Sequence, residues 1–128
     1  MTLRFDPAQG LIVVPTKLSG PLGEWVVRLA LDTGATGSMI NWDIAILLGY
    51  DPASSAERIQ VTTGSSVEYA PRIAVRRVEA IKKVREHFPI LCHTLPPSAT
   101  VDGLLDLVFF RGARLTVDLR EGRLSIEG

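Results

Sequence analysis

The sequence is poor in cysteine and in aromatic residues, and it carries no excess charge of either sign. Cys92 is the single cysteine among 128 residues, so an internal disulfide and a thiolate zinc cluster are ruled out, and a reducing compartment fits. Fourteen basic residues balance fourteen acidic ones. The chain therefore has no global field that would favour nucleic acid or an acidic substrate, and it has little charge repulsion against self-association.

Long apolar runs are also missing. The longest of them are far shorter than the about 18 residues that a membrane-spanning helix needs. The first ten residues, MTLRFDPAQG, contain no apolar core of signal-peptide length. We therefore expect a cytoplasmic protein without a membrane segment, folded as a single domain over residues 1–128.

Alternating apolar and polar residues predict a mostly β chain. The turn SGPLG should join two strands, and the second of these, EWVVRLAL, places Trp25, Val27, Leu29 and Leu31 on one face. The C-terminal stretch RLTVDLREGRLSIE predicts another hairpin.

One helix is predicted in NWDIAILLGYDP. Asn41 is the expected N-cap, Gly49 lies where a C-terminal glycine belongs, and Ile44, Leu47 and Leu48 should share the buried face.

The stretch from residue 73 to residue 86 is ambiguous, because it fits either a basic helix over residues 76–86 or strands. We favour strands with a bulge at Arg76 and Arg77, because the apolar residues are spaced as strand positions. These residues are Ile73, Val75, Val78 and Ala80.

Two distant segments share one order of features. VVRLALDTGATGSMINWDIAILLG and FPILCHTLPPSATVDGLLDLVFFRG each contain an apolar strand, a loop, an Asp close to a Gly, a short apolar helix and a Gly. In the second segment we expect a turn at Asp102-Gly103 and a short helix that ends near Gly112. The pattern predicts two half-copies of one supersecondary unit.

The stretch LALDTGATGSMIN, residues 29–41, ends an apolar strand on an acid. Asp32 is followed at once by Thr33 and Gly34, and a carboxylate beside a core needs partners or loses much solvation energy. From the residues alone, Asp32 is either a helix cap or turn residue, or it takes part in chemistry.

This stretch resembles the active-site segment of the retropepsin-like (retroviral-type) aspartic proteases. The later VDGLLDLVFFRGARLTVDLREGRLSIE resembles that family's second motif, terminal helix and closing strand, and the similarity of order spans nearly the whole chain. The resemblance implies an all-β acid-protease barrel with one or two short helices and one lobe per chain. It also implies an aspartic endopeptidase that acts on extended peptides and needs no cofactor.

Because Asp-Thr-Gly occurs once, the resemblance implies a homodimer in which Asp32 from each copy meets on a two-fold axis. Two carboxyls held about 3 Å apart share one proton and divide the roles of acid and base. By similarity, Thr33 would hydrogen-bond across the axis, and Gly34 would orient the carboxylate through its backbone N–H. The terminal strands, near residues 2–6 and 123–127, are candidates for a sheet shared between the copies.

The substrate contacts implied by the resemblance lie in a flap and in the active-site loop. Thr63, Gly64, Ser65 and Ser66 match the flap, a hairpin that closes over the peptide, although from the residues alone they fit a plain hairpin turn. Gly103 would pack beneath the active-site loop. Ala35 lacks the hydroxyl that some relatives direct at the acid, so we expect a less acidic working pH than in pepsin-like enzymes.

The second motif departs from the family pattern. Many relatives have a glycine at the position of Asp106 and an acid at that of Val108. These departures support the alternative of a catalytically silent domain that dimerises or binds peptides. A third hypothesis is a barrel that binds a small ligand or nucleic acid.

Other reactive residues are expected to be structural. Cys92 and His93 are neighbours on a strand, so their side chains should point to opposite faces, with Cys92 in the core. His87 and His93 would lie roughly 20 Å apart, too far for one metal ion. The basic cluster has no aromatic stacking platform for nucleic acid and is expected to be a solvated face. It comprises Arg76, Arg77, Lys82, Lys83 and Arg85.

Overall fold

A computed structural model describes residues 1–35, 37–62 and 65–128 of the chain. The strands within these ranges are β1 (Thr2–Arg4), β2 (Val13–Gly20), β3 (Gly23–Leu31), β4 (Ser38–Asn41), β5 (Arg58–Thr62), β6 (Val67–Ala80), β7 (Lys83–His93), β8 (Gly103–Leu105), β9 (Arg114–Asp118) and β10 (Arg123–Glu127). The helices are α1 (Trp42–Leu48) and two 3₁₀ helices, Pro52–Ser54 and Leu107–Phe110. The prediction of an all-β chain with short helices is confirmed.

Six of the strands form a closed barrel. They are hydrogen-bonded in the order β2-β3-β8-β4-β7-β6, and β2 also pairs with β6, with Leu18 opposite Val78. Because the ring is closed, each of these six strands has a hydrogen-bonded neighbour on both sides. β5 lies outside the closed ring, on the first half of β6, and β1, β10 and β9 form a separate three-stranded sheet.

The hairpin of β2 and β3 forms as predicted, with Gly20 opposite Gly23 at its turn. Val27 and Leu29 are buried in the barrel core, but Trp25 is 47% exposed. Trp25 is exposed because it lies close to the turn, where β3 extends past the core.

The helix α1 also differs in its buried face. Leu47 is 46% exposed, whereas Ala45 and Leu48, three positions apart, are fully buried. Asn41 is at the N-cap position as predicted, but its side chain makes no capping hydrogen bond. Gly49 ends the helix in the left-handed conformation, with φ of 95°, as its position predicted.

Residues 73–86 form strands, as we favoured. β6 and β7 are joined by a two-residue turn at Ile81 and Lys82, whose φ angles of 50° and 61° are both positive, as a type I′ hairpin turn requires. The predicted bulge was wrong, because the pairing keeps one register on either side of Arg76. The pairing is interrupted there instead, since the Arg76 N–H donates to the Tyr50 hydroxyl at 2.8 Å.

The two segments with a shared order of features occupy equivalent places in the barrel. β3 runs parallel to β8, β7 runs parallel to β4, and β4 pairs antiparallel with β8. Each half thus contributes one long strand and one short strand, and each long strand pairs with the short strand of the other half. The second helix is the 3₁₀ helix Leu107–Phe110, which ends before Gly112.

Candidate active site

Asp32 lies where β3 leaves the barrel. Leu31 pairs with Leu105 of β8, and the Asp32 N–H donates to the Leu105 carbonyl at 2.9 Å. The backbone of the acid is therefore fixed by the sheet, while the following Thr33 and Gly34 are exposed. Asp32 itself is partly buried, at the boundary between the core and solvent.

The carboxylate of Asp32 is oriented by the turn that follows it. The Gly34 N–H donates to Oδ1 at 3.0 Å, and the Ala35 N–H donates to the Asp32 carbonyl at 3.3 Å. The first contact is also the one that an ordinary Asx turn makes. The second oxygen, Oδ2, accepts no hydrogen bond from the residues that the structure describes. Because α1 begins only at Trp42, Asp32 is not the cap of a helix.

Gly103 opens β8 and does not lie in a turn, so that part of the prediction was wrong. The short strand has to cross β4 closely: a Cβ on Gly103 would lie 1.9 Å from the Met39 carbonyl oxygen and 2.9 Å from the Ile40 Cα. The neighbouring Asp102 accepts the Arg28 N–H at 2.8 Å and donates its own N–H to the Arg28 carbonyl. These contacts hold β8 beside β3 just before Asp32.

Asp106, which departs from the family pattern, is the cap of a 3₁₀ helix. Only 3% of the residue is exposed, and its Oδ1 accepts the Phe109 N–H at 3.2 Å. Its own N–H donates to the Ser38 Oγ at 3.1 Å. The backbone of Asp106 therefore links the second motif to the strand that follows the Asp32 loop, while its side chain caps the 3₁₀ helix.

The hairpin of β5 and β6 carries the predicted flap. Thr62 pairs with Val67 at its last described rung, and Ser65 and Ser66 are exposed. Thr63 and Gly64, the other two predicted flap residues, lie outside the described residues.

The remaining candidates are placed apart from Asp32. Cys92 is fully buried, and burial raises the pKa of its thiol to about 12. His93 contacts Glu68 Oε2 and the Thr94 carbonyl, both at 2.9 Å. No group of three or more His, Cys, Asp or Glu side chains suitable for a metal ion occurs in the described part of the chain.

The terminal strands form a sheet within the chain. β10 is hydrogen-bonded on one side to β1 and on the other to β9. Residues 123–125 are paired on both edges, whereas residues 126 and 127 are paired in a ladder only with β9. Among the described strands of this sheet, the outer edges of β1 and β9 could accept a strand from a second copy.

Sequence reasoning missed Ser38 and the Arg28–Asp102 pair as supports of the site. Ser38 is 1% exposed, and a buried serine next to an apolar strand is a signal that it bonds to the backbone. The contact between Arg28 and Asp102 joins residues 74 positions apart, so no local pattern could have indicated it.

A model of one protein family, described as aspartyl protease, matches residues 14–108. The chain belongs to the aspartyl protease family. Its fold is similar to that of a solved structure, a retropepsin-like aspartic protease from Rickettsia conorii, with a TM-score of 0.69 and 15% sequence identity. The similarity covers 97% of this chain and 86% of that one. No curated protein matches the chain.

The comparison confirms the retropepsin-like fold of this aspartyl protease domain. The family match contains both Asp32 and Asp106, together with β2 to β8. None of the described helices is long and apolar enough to cross a membrane.

Proposed function

We propose that the protein is an aspartic endopeptidase whose active site forms when Asp32 of two copies meet. The observation that carries the proposal is the fixed backbone of Asp32 at the end of β3, with the Gly34 N–H on one carboxylate oxygen. The other oxygen accepts nothing from residues 1–35, 37–62 and 65–128 of its own chain, and it would bind a second carboxyl, water or substrate. The match to the aspartyl protease family supports the same reading.

The chemistry needs two carboxyls that share one proton. The ionised carboxylate removes a proton from water, and the resulting hydroxide forms a bond to the peptide carbonyl carbon. The neutral carboxyl donates its proton to the carbonyl oxygen, and the C–N bond breaks when the amide nitrogen is protonated in turn. Because each chain has a single Asp-Thr-Gly, the second carboxyl has to come from another copy.

Three neighbours support this arrangement. Thr33 is exposed beside the acid and would hydrogen-bond across the two-fold axis. Ala35 would contact the substrate from the active-site loop, and Gly103 allows β8 to approach β4 beneath the loop. Residues 63–66 would close over an extended peptide and exclude water.

A catalytically silent peptide-binding domain is the second candidate, since Asp106 and Val108 differ from the family pattern. The contacts of Asp106 reduce the support for it: this carboxylate caps a 3₁₀ helix, so it does not have to disturb the Asp32 loop.

The test is peptide cleavage by matched variants. A diverse peptide library is incubated at high protein concentration over a range of pH, and the products are read by mass spectrometry for the wild type, Asp32→Asn and Asp51→Asn. Asp51 is a suitable control because it is exposed at the start of the 3₁₀ helix Pro52–Ser54, its side chain makes no capping hydrogen bond, and it lies outside the Asp32 loop, the flap residues and the terminal strands. We expect cleavage by the wild type and Asp51→Asn and at least a roughly thousandfold loss in Asp32→Asn. Equal cleavage by all three would identify a contaminant, and binding without cleavage would identify the silent domain.

A further inference from the structure

A cavity of about 180 Å³ lies beside the Asp32 loop. Gly37, and Ser38 at the start of β4, line one side, and Ile59 of β5 lines the side that carries the flap hairpin. Val108 and Leu91 contribute further apolar surface. The cavity is thus bordered by the active-site segment, the second motif and the flap-bearing strand, where a substrate side chain would enter.

Two polar groups in this cavity have unused hydrogen-bonding capacity. The Nε–H of Arg72 is buried and has no acceptor among the described residues. Asp106 uses Oδ1 to accept the Phe109 N–H, while its Oδ2 accepts nothing from that part of the chain. A buried donor without a partner calls for an explanation, and a ligand acceptor is one.

The charges of these groups are partly neutralised. The Arg72 guanidinium forms an ion pair with Glu57, so Glu57, Arg72 and Asp106 together carry one net negative charge. This net negative charge would repel a carboxylate that entered the cavity, whereas it would not repel a neutral carboxamide.

We propose that the cavity is a substrate subsite selective for a carboxamide side chain, glutamine above all. The side-chain carbonyl of glutamine accepts from the Arg72 Nε–H, and its NH₂ group donates to the Asp106 carboxylate. A glutamic acid side chain supplies acceptors for Arg72 but repels Asp106. A methionine side chain fills the same space and satisfies neither group. This inference rests on the proposed function, because it takes the cavity as part of the substrate cleft.

The test uses peptides that differ at one position near the scissile bond, where glutamine, glutamate or methionine is placed. The wild type should favour glutamine over each of the others by at least about tenfold, because glutamine forms two hydrogen bonds of which methionine forms neither. Arg72→Lys keeps the charge but removes the Nε–H, so it should lower the preference for glutamine over methionine severalfold and leave the contribution of Asp106. Asp106→Asn keeps a good capping residue and removes the negative charge. It should therefore raise the cleavage of glutamate peptides relative to that of glutamine peptides. Thermal unfolding of each variant checks that it is folded.

The same preferences are measured as peptide binding to the Asp32→Asn protein, so that the inference and the proposed function fail separately. One outcome is that the wild type cleaves no peptide, yet glutamine peptides bind about tenfold better than the others. In that case the proposed endopeptidase is wrong and the subsite stands. If peptides are cleaved without a preference for glutamine over methionine, or if Asp106→Asn leaves the ratio of glutamine to glutamate unchanged, the subsite is wrong. If peptides are neither cleaved nor bound, both are overturned.

Discussion

Two aspartates end a pair of neighbouring parallel strands, β3 from the first half of the barrel and β8 from the second, and they have opposite surroundings. Leu31 and Leu105 pair with each other, and Asp32 and Asp106 follow them. Asp32 is partly exposed and accepts the N–H two residues ahead, whereas Asp106 is 3% exposed and accepts the N–H three residues ahead.

The difference comes from the residues that follow each acid. Thr33 and Gly34 form a tight exposed turn, so the first carboxylate stays at the boundary with solvent, and one of its oxygens accepts no hydrogen bond from the described residues. Leu107–Phe110 forms an apolar 3₁₀ helix that packs Phe109 into the core, and it draws the second carboxylate inward as its cap. An aspartate that follows one of two paired leucines is thus suited to chemistry in one half and to structure in the other.

We expect the buried interior of the second half of the barrel, formed by β7 and β8, to be inaccessible to reagents as well as to solvent. Cys92 on β7 tests this expectation. Burial raises the pKa of its thiol from 9.0 to about 12, so the thiolate fraction at pH 8 is lower by about a thousandfold, and thiolate is the reactive form. We expect alkylation by iodoacetamide at pH 8 to be at least about a hundredfold slower in the folded protein than in urea. Comparable rates in both conditions would mean that this half opens readily.

The crossing of the two halves depends on Gly103, and Gly103→Ala should therefore unfold the protein more easily. Its Cβ would lie 1.9 Å from the Met39 carbonyl oxygen, so β4 and β8 would have to separate, at a cost of about 3 kcal/mol or more. The measurement is urea unfolding with Gly10→Ala as the control, because a Cβ there meets no atom within 4 Å. A similar free energy of unfolding for the two variants would contradict the close crossing.

Replacement of each aspartate by alanine should separate their roles in stability. Asp106→Ala removes a buried cap and should cost about 1–2 kcal/mol, while Asp106→Asn should recover most of the loss. Asp32→Ala removes one contact in an exposed turn, so we expect a change within about 0.5 kcal/mol. Chemical denaturation of the three variants measures the free energy of unfolding. An equal loss of that free energy in the two alanine variants would contradict the difference between the two aspartates.

The sequence was sufficient where local chemistry decides the structure. The Asp32 turn, the helix end at Gly49 and the Gly20–Gly23 hairpin each depend on a few adjacent residues, and the first was also tied to a family by its motif. The strands of residues 73–86 remained ambiguous because Ile81 and Lys82 adopt positive φ angles that usually indicate Asn or Gly.

Other features depend on contacts between distant parts of the chain. Whether Trp25 or Leu47 is buried is set by where the barrel ends, and periodicity alone does not contain that information. Gly103 was expected in a turn, since nothing local shows that β4 passes against it. A sequence motif could likewise not predict that Asp106 caps a helix or that it contacts Ser38, 68 positions away.

We propose that one active site takes Asp32 from two copies, and mixing wild-type and variant protein tests this arrangement. Asp32→Asn protein is added in increasing excess to a fixed concentration of wild-type protein, with Asp51→Asn protein added in a parallel series. We expect cleavage to fall towards zero in the first series, because wild-type chains are drawn into mixed dimers with a single functional acid, and not to fall in the second. Cleavage that stays constant as Asp32→Asn is added would show that each chain acts alone, and the two-copy active site would be wrong.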